Sequence, residues 1–279
     1  MKIFNKIRPT RVYLESVSES GKTIGFVPTM GALHEGHLSL LKRSKQDNDI
    51  TTCSIFVNPI QFNNPEDLEK YPHTLKSDIK VLESLGCDMV FVPSVEEIYP
   101  EPETTVYDFG HLDKVMEGKY RHGHFNGVAI VVRRFFEIIR PNRAYFGEKD
   151  FQQLIIIQKM VEMLNLDVEV IPCPILRESD GLAMSSRNTR LTSRQRKVAP
   201  VIHKTLLNIK TKVRTKPFDE IKKWVKQNIN KQPEMKLEYI EIVDKQTLLP
   251  ISSLDENKRC IACIAVYLGE VRLIDNIKL

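Results

Sequence analysis

No stretch of this 279-residue sequence is apolar over the roughly 18–20 residues that a membrane-spanning helix needs. The first residues, MKIFNKIRPTRVYLESV, mix charges throughout and lack the apolar centre of a secretory signal. We therefore expect a cytoplasmic protein without a membrane partner. Hydrophobic residues make up 42% of the chain and charged residues 28%, which is typical of a globular protein and excludes a disordered one.

Cysteine is scarce, and its five positions contain a single C-x-x-C, at Cys260 and Cys263. A structural zinc site needs four ligands, and no second pair or nearby histidine completes this one. The surrounding residues, RCIACIAVYL, predict a buried strand in which the thiols pack as small hydrophobic groups.

A strong excess of one charge is also lacking, since the formal net charge is +5 and the pI is about 8.8. Mild basicity suits anionic substrates such as nucleotides. The positive charge is concentrated between Lys204 and Lys236, which indicates either a solvated helix face or a surface for RNA or phosphate. Because no aromatic residues interleave for base stacking, we favour the solvated face and expect no nucleic-acid partner.

From Thr23 to Cys173, short β-branched runs alternate with helical patterns. The predicted strands are TIGFVPT, DITTCSIFVN, DMVFVP, TVYDFG, RAYFGE and VEVIPC. The predicted helices between them are HLSLLKRSKQ, LKSDIKVLESLG, FNGVAIVVRRFFEIIR and DFQQLIIIQKMVEMLN. This alternation predicts an α/β fold, a parallel sheet with helices on both faces, which binds ligands beyond the carboxyl ends of its strands.

The pattern changes after about Ile175, where a polar loop leads into helical stretches at 193–212 and 217–230. The segments LEYIEIVD, RCIACIAVYLG and EVRLIDNI then read as strands without intervening helices. This order indicates a smaller α+β domain. We therefore divide the chain into domains at residues 1–176 and 177–279.

The strongest local signal is the segment VPTMGALHEGHL, which follows the first predicted strand and opens a helix. Gly31 permits a tight turn, and the free N–H groups at the helix start favour an anion. His34 and His37 lie three residues apart and point to the same side. The spacing is one residue short of the H-E-x-x-H of zinc hydrolases, and a Walker A loop is absent. A histidine pair in the core or on the surface remains the alternative.

A second signal is GLAMSSRN, whose Ser185, Ser186 and Arg187 can hydrogen-bond phosphate oxygens. By itself this segment is also compatible with an ordinary turn. Together with the histidine segment, it resembles the paired HIGH and KMSKS motifs of adenylate-forming nucleotidyltransferases, here with arginine and no lysine.

Three further segments carry polar groups at predicted strand ends or helix starts. In YFGEKDFQQ, Lys149 is placed to reach a phosphate, although Asp150 also suits a helix cap. In FVNPIQF, the Asn58 and Gln61 amides suit a hydroxy acid, although Asn-Pro also simply forms a turn. In RHGHFNG, two histidines could bind metal, but the glycines favour a loop that initiates a helix.

These five motifs occur in the same order as in the pantothenate synthetase family, the pantoate–β-alanine ligases, which the sequence resembles from Thr23 to Arg190 and more weakly beyond. The resemblance implies a Rossmann-like catalytic domain of the HIGH-type nucleotidyltransferase superfamily, which binds ATP and pantoate, and a C-terminal lid domain. It also implies that ATP and pantoate form pantoyl adenylate and pyrophosphate, and that β-alanine then displaces AMP. Mg²⁺, a homodimer and no tightly bound organic cofactor are implied as well.

The resemblance also implies roles for particular residues. The ATP-binding residues would be Met30, Gly31, Ala32, Leu33, His34, Glu35, Gly36, His37, Gly147, Glu148, Lys149, Asp150, Leu176, Met184, Ser185, Ser186 and Arg187. Among these, the catalytic set would be His34, His37, Lys149, Ser185, Ser186 and Arg187, with His37 as proton donor. Pantoate would contact Gln61, Gln153, Asn58 and Arg121, with Gln61 also facing β-alanine, and Asp78 would contact Mg²⁺ through the ATP phosphates.

Two positions depart from the family pattern. His73 occupies a place where arginine is usual, and His122 one where proline is usual. They affect the expected charge near the phosphates and the stiffness of one helix entrance, and they leave the core motifs intact.

Three other functions remain open from the residues. A simple nucleotidyltransferase would use the same histidine segment but would not require Gln61 and Gln153. An RNA-binding module related to synthetases would use the basic segment after Lys204. A nucleotide-binding regulator would bind ATP without acting on any acid.

Overall fold

The computed structural model describes residues 1–63, 65–69, 71–252 and 259–279, and the chain forms two compact units. The first unit comprises Met1–Asp113, Gly118–Glu148 and Gln153–Pro174. The second comprises Lys114–Glu117, Lys149–Gln152 and Ile175–Leu279. Two short segments from the middle of the chain therefore belong to the C-terminal unit.

The first unit contains a six-stranded sheet in which all strand pairs are parallel and the order is β1-β4-β3-β2-β5-β6. Chain order reverses direction between β2 and β5, and in such sheets the crevice at the strands' carboxyl ends at this point binds ligands. The strands are β1 (Lys2–Phe4), β2 (Ile24–Thr29), β3 (Ile50–Ile55), β4 (Met89–Phe91), β5 (Arg143–Gly147) and β6 (Glu169–Cys173).

Helices connect these strands. In chain order they are α1 (Ile7–Glu19), α2 (Glu35–Asp47), α3 (Pro65–Glu69), α4 (Leu75–Ser84), α5 (Val95–Ile98), α6 (Met116–Tyr120), α7 (His124–Ile139) and α8 (Phe151–Met163). Short 3-10 turns at Pro59–Gln61 and Glu148–Asp150 follow β3 and β5.

Both faces of the parallel sheet are covered. Phe26 on β2 packs into a core with α1, α7 and α8, whereas the next residue, Val27, packs into a separate core with α2 and α4. Met89 and Val90 on β4 divide between the two cores in the same way. Because successive strand residues point to opposite faces, this division confirms the predicted sheet with helices on both sides.

The second unit contains an antiparallel sheet with strand order β7-β8-β9, formed by β7 (Met235–Asp244), β8 (Cys260–Leu268) and β9 (Val271–Lys278). Helices α9 (Ser193–Val198), α10 (Val201–Lys212) and α11 (Phe218–Asn230) precede it. Apolar residues of α10 and α11, among them Ile202 and Val225, share one core with the sheet. The predicted α+β character of this region is confirmed.

The predicted strand TVYDFG is wrong, because residues 102–109 form no regular element. Side-chain bonds replace a ladder there: Asn126 accepts from Tyr107 N and donates to Thr105 O, each at 2.9 Å. The predictions also missed β1 and α1, and the expected helix at 193–212 is two helices. Pro200 separates them because it lacks the N–H that a continuous helix requires.

Each of the five cysteines is a buried free thiol, and all lie in described ranges. Cys260 and Cys263 lie on β8, which confirms the strand interpretation of the C-x-x-C segment. Within the described residues, no helix combines the length and the apolar composition needed to cross a bilayer.

Candidate active site

The loop between β2 and α2 is fixed by a buried carboxylate. Its backbone turns through positive φ at Gly31 (81°) and at Ala32 (50°). Asp78 on α4, only 3% exposed, accepts hydrogen bonds from Ala32 N at 3.0 Å and Leu33 N at 2.9 Å. Thr74 Oγ1 donates to the same carboxylate at 2.9 Å. A Cβ at Gly31 would lie 3.0 Å from Asp78 Oδ2, so glycine suits the close approach as well as the turn.

The two histidines cap the start of α2. His34 Nδ1 accepts from Gly36 N at 3.1 Å, and His37 Nδ1 accepts from His34 N at 3.4 Å. A neutral imidazole that accepts at Nδ1 carries its proton on Nε2. The backbone therefore selects the Nε2–H tautomer in both rings, whose centroids are 4.1 Å apart.

This arrangement suits an anion at the carboxyl end of β2. Gly36 N and His37 N are already bonded to His34, so the attraction for an anion comes from the positive end of the dipole of this 13-residue helix and from the two imidazole donors. Chemically, such a set can bind phosphate and can follow charge that develops on a phosphate oxygen.

A network of amides lies after β3 in the same unit. Asn58, 1% exposed, donates through Nδ2 to Gln61 Oε1 and to Gly127 O, each at 3.1 Å, and accepts from Tyr99 at 2.9 Å. With its oxygen engaged, the Gln61 amide directs Nε2 toward Met30 Sδ, 3.3 Å away. Asn58 therefore fixes which end of the Gln61 amide is presented.

Tyr99, which donates to Asn58, is kept in its neutral form by burial. Burial raises the pKa of Tyr99 well above its ordinary value of 10, so the phenol keeps its proton. The Arg134 guanidinium lies 5.2 Å from the centre of the Tyr99 ring and is paired with Glu103 at 2.6 Å. Hydrogen bonds from Thr105 and from that guanidinium lower the pKa of Glu103 to about 2.

Helix α7 packs closely against the turn that carries Gln61. His124, at its start, bonds through Nδ1 to Gln61 O at 2.9 Å, and a Cβ at Gly127 would lie 2.5 Å from Ile60 O. Arg121, a predicted pantoate contact, is half-buried just before this helix. The glycine-rich segment thus initiates a helix, in agreement with the interpretation we favoured over metal binding.

A pocket in the second unit brings together three predicted phosphate ligands. Lys149, Ser185 and Arg187 line one small surface pocket together with residues of β9 and α10. Ser185 Oγ accepts from Arg187 N at 3.3 Å, which fixes the start of the 3-10 turn Ser186–Arg190. The Lys149 side chain is 18% exposed and lies 3.6 Å from Asp150.

The loop that carries these serines is braced by an ion pair between the half-buried Arg177 and the buried Asp275. Both terminal nitrogens of Arg177 donate to Asp275, at 2.7 and 2.9 Å, and the Asp275 side chain is 3% exposed. Next to this pair, Met184 N donates to Leu176 O at 3.0 Å, so two predicted nucleotide contacts are adjacent. Polar residues inside the apolar segment VRLIDNI are the sequence signal that could have indicated this brace.

The remaining predicted residues lie at helix starts and at the end of a strand. Gly36 and Glu35 belong to the first turn of α2, and Gln153 is half-buried in the first turn of α8. Gly147 and Glu148 follow one another where β5 ends, at the carboxyl edge of the parallel sheet. His73 and His122 are both exposed.

A metal site built from protein groups alone is not found in the part of the chain that the structure describes, where no three His, Cys, Asp or Glu side chains converge. Mg²⁺ in nucleotide sites uses one or two carboxylates, waters and substrate phosphates. The Asp78 carboxylate, the predicted contact, is engaged with two backbone N–H groups and one hydroxyl. These residues fit a metal held chiefly by substrate.

Comparison with known proteins gives one result over the whole chain. A family model described as pantoate-beta-alanine ligase matches residues 2–278. Pantothenate synthetases from Porphyromonas gingivalis and Bacteroides fragilis are each 50% identical over 278 residues, which is 100% of this chain and 99% of theirs. The crystal structure of pantothenate synthetase from Thermus thermophilus has a TM-score of 0.92 at 41% identity, covering 100% of this chain and 99% of that one.

The chain belongs to the pantoate–β-alanine ligase family.

A further ligase of this family, from Francisella tularensis, was solved in complex with beta-gamma ATP and β-alanine. It has a TM-score of 0.83 at 37% identity and covers 100% of this chain and 97% of that one. The resemblance and the enzyme class predicted from the sequence are confirmed, and so is the fold class. The roles of individual residues in this ligase stay predictions.

Proposed function

We propose that this ligase condenses pantoate with β-alanine, using ATP, through a pantoyl adenylate. Membership of the pantoate–β-alanine ligase family over the whole chain supports the two organic substrates. The Francisella ligase in complex with beta-gamma ATP and β-alanine supports ATP as co-substrate. The observation that carries the proposal is the capped start of α2, where two Nε2–H imidazoles stand at the positive end of the helix dipole.

In the first step, a carboxylate oxygen of pantoate attacks the α-phosphorus of ATP. The bond from that phosphorus to the bridging oxygen breaks, and pyrophosphate leaves with the electron pair. In the second step, the amine of β-alanine attacks the acyl carbon, the bond to the AMP oxygen breaks, and the amine releases a proton as the amide forms. The protein aligns the reactants and stabilises charge, and no side chain is modified.

We propose that the ATP phosphates bind to two sets of residues, the histidines at the start of α2 and the polar residues of the pocket in the second unit. His34 and His37 donate to phosphate oxygens from the first unit, with His37 as the proton donor. Lys149, Ser185, Ser186 and Arg187 supply cationic and hydroxyl donors from the second unit. Each set is proposed to contribute ligands of the ATP phosphates.

Pantoate is proposed to bind through Gln61 and Gln153, with Arg121 and Asn58 in support. Asn58 is buried, and its amide is fully engaged with protein groups, so its part is to orient Gln61. Gln61 is also proposed to face β-alanine. Amides suit this task because each offers a donor and an acceptor to a hydroxy acid.

We also propose a homodimer, a nucleotide- and pantoate-binding domain at residues 1–176 and a lid domain at 177–279. Mg²⁺ is proposed to bind chiefly through the ATP phosphates, where it neutralises negative charge. Asp78 is the predicted protein contact, and Thr74 and the β2–α2 loop hold that carboxylate in place.

One assay tests the overall proposal. The protein is incubated with ATP, Mg²⁺, pantoate and β-alanine, and AMP and the amide product are quantified, with each reactant omitted in turn. We expect pantoate alone to support exchange of labelled pyrophosphate into ATP, and the amide to appear only when β-alanine is present. Exchange without pantoate, or AMP formation without amide, would contradict the proposal.

Substitutions test the assigned roles. We expect His37→Ala and Lys149→Ala each to lower kcat by about 10²–10³, as is usual when one transition-state contact is removed. The exposed residues His111 and Lys210 serve as matched controls, and His111→Ala and Lys210→Ala should leave kcat unchanged. Near-native turnover in both site variants would reject the assignment.

A further inference from the structure

Lys149 belongs to the second unit although it lies only two residues after the end of β5 in the chain. Its backbone is held there by a buried amide of β9. Asn276, 4% exposed, donates from Nδ2 to Lys149 O at 3.0 Å. The C-terminal sheet therefore fixes the backbone from which the Lys149 side chain extends.

A second amide secures the other end of the same short segment. Gln152, also 4% exposed, accepts from Glu117 N at 2.9 Å and donates to Val115 O at 2.8 Å. Glu117 in turn accepts two hydrogen bonds from Arg272 of β9, both at 2.7 Å. Both short segments of the second unit are thus tied to the same strand.

The residue next to Asn276 holds the other phosphate-binding segment. Asp275 accepts from both terminal nitrogens of Arg177, and Arg177 also donates to Gly181 O at 3.1 Å. Arg177 opens the loop that ends in the serines and in Arg187. Asp275 Oδ1 accepts from Asn276 N at 2.8 Å, so the two neighbours restrain one another.

These two anchors lead into one pocket. Lys149, Ser185 and Arg187 line it, and so does Asp275. Lysine and arginine side chains lose considerable rotamer freedom when they are ordered. Because the backbone that carries Lys149 is already fixed, only its side chain must be ordered when a ligand binds. The same strand thus holds the backbone of Lys149 and the loop that leads to Arg187.

We propose that Asp275 and Asn276 of β9 form a common anchor for the phosphate-binding groups, and that Asn276 is a positioning residue for Lys149. The inference deepens the proposed function and rests on it, because it takes Lys149 and Arg187 as ligands of the ATP phosphates. It assigns to the C-terminal sheet a part in the first chemical step.

A double-mutant cycle tests this proposal. Pantoate-dependent exchange of pyrophosphate into ATP is measured for the wild type, Asn276→Ala, Lys149→Ala and the double variant. We expect Asn276→Ala to lower the exchange kcat by about tenfold, the upper range for one neutral hydrogen bond. In the Lys149→Ala background the same change should alter kcat by less than about twofold, because the group that Asn276 positions is gone.

Two further variants separate positioning from a general loss of stability. Asn276→Asp keeps the size of the side chain but places an acceptor against Lys149 O, and it should lower kcat at least as much as Asn276→Ala. Asn228→Ala is the matched control, since that amide donates to Thr205 at 2.8 Å between α11 and α10, and we expect its kcat to be unchanged. Urea unfolding of each variant checks that the protein remains folded under assay conditions.

The outcomes are distinct. Equal losses from Asn276→Ala in both backgrounds, or no loss in the wild-type background, would overturn the positioning role while leaving the proposed function intact. Near-native exchange by Lys149→Ala would instead overturn the proposed role of Lys149 and the anchor inference with it.

Discussion

His37 shows how a backbone hydrogen bond selects the chemistry of a side chain. Its Nδ1 accepts from His34 N, so the neutral ring presents a donor at Nε2. The sequence places a histidine at this position, but only the folded loop selects its tautomer. The N–H that binds Nδ1 belongs to His34, and it is the turn that brings this group to the ring.

The tautomer leads to a test with two amides. The Gln Nε2 group reaches about as far as the imidazole Nε2, whereas Asn places its amide near the position of Nδ1. We therefore expect His37→Gln to keep a donor toward the ligand and to retain more kcat than His37→Asn, with His37→Ala losing about 10²–10³. Steady-state kinetics with saturating substrates measure the order, and higher turnover by His37→Asn would contradict the assigned tautomer.

Asp78 gives a second residue-scale prediction. Its carboxylate accepts from Ala32 N, Leu33 N and Thr74, and an amide in its place would turn a donor toward these donors. We expect Asp78→Asn to lower the free energy of unfolding by about 2–4 kcal/mol, since bonds to a buried charged group are lost. Urea denaturation measures this, with exposed Asp219→Asn as the control.

The same variant distinguishes two roles for Asp78. A clamp on the β2–α2 loop predicts the loss of stability, whereas a metal contact alone predicts unchanged stability and a higher Mg²⁺ concentration for half-maximal activity. If the Mg²⁺ requirement rises in a variant of full stability, the clamp interpretation is wrong.

At the scale of elements, the Gln61 turn depends on a chain of contacts that ends in an ion pair. Glu103 binds Arg134, whose guanidinium lies over Tyr99, and Tyr99 donates to Asn58, which orients Gln61. Periodicity predicted α7 correctly but did not indicate what its polar residues contact. Arg134 on α7 and Glu103 lie 31 residues apart in the chain, and Tyr99 and Asn58 lie 41 residues apart, so no local pattern connects them.

This chain of contacts predicts a pH dependence. The pKa of Glu103 is lowered from the ordinary 4.5 to about 2, so its contribution to stability is complete above about pH 4.5 and is lost as the pH falls toward 2. Glu103→Gln removes that contribution. We therefore expect the difference in unfolding free energy between wild type and variant to be largest near pH 6 and smaller at pH 3. A constant difference across this range would show that the carboxylate charge has no part.

At the scale of the whole molecule, the second unit is assembled from separated pieces of chain. Arg272, which is 14% exposed, pairs with the buried Glu117, which lies 155 residues earlier, and also with Glu238. A boundary at residue 176, as the sequence suggested, would leave Glu117 and Lys149 on the other side. Composition changes near residue 175 are visible in the sequence, but short segments recruited by long-range pairing are not.

The discontinuous unit predicts different responses to one substitution in two contexts. In the wild-type chain, Arg272→Met leaves Glu117 buried without its cation, and we expect a loss of about 3–5 kcal/mol in unfolding free energy. In the full-length Glu117→Gln background, where that buried charge is absent, the same change should cost less. Urea denaturation of both pairs measures this, and equal losses in the two contexts would rule out the Glu117 contact as the cause.

The sequence by itself determined five of the six strands of the parallel sheet and the main helices between them, the parallel character of that sheet and the family of the chain, but it wrongly predicted a strand at TVYDFG. These follow from local periodicity and from ordered motifs, which are properties of neighbouring residues. Only the tertiary structure decided which groups hold the site: Asp78 beneath the histidine loop, Asn58 behind Gln61, and Asp275 with Asn276 beneath Lys149 and Arg177. Burial and hydrogen bonding join residues that are distant in the chain, and the free energy of those contacts depends on a packing that no single segment contains.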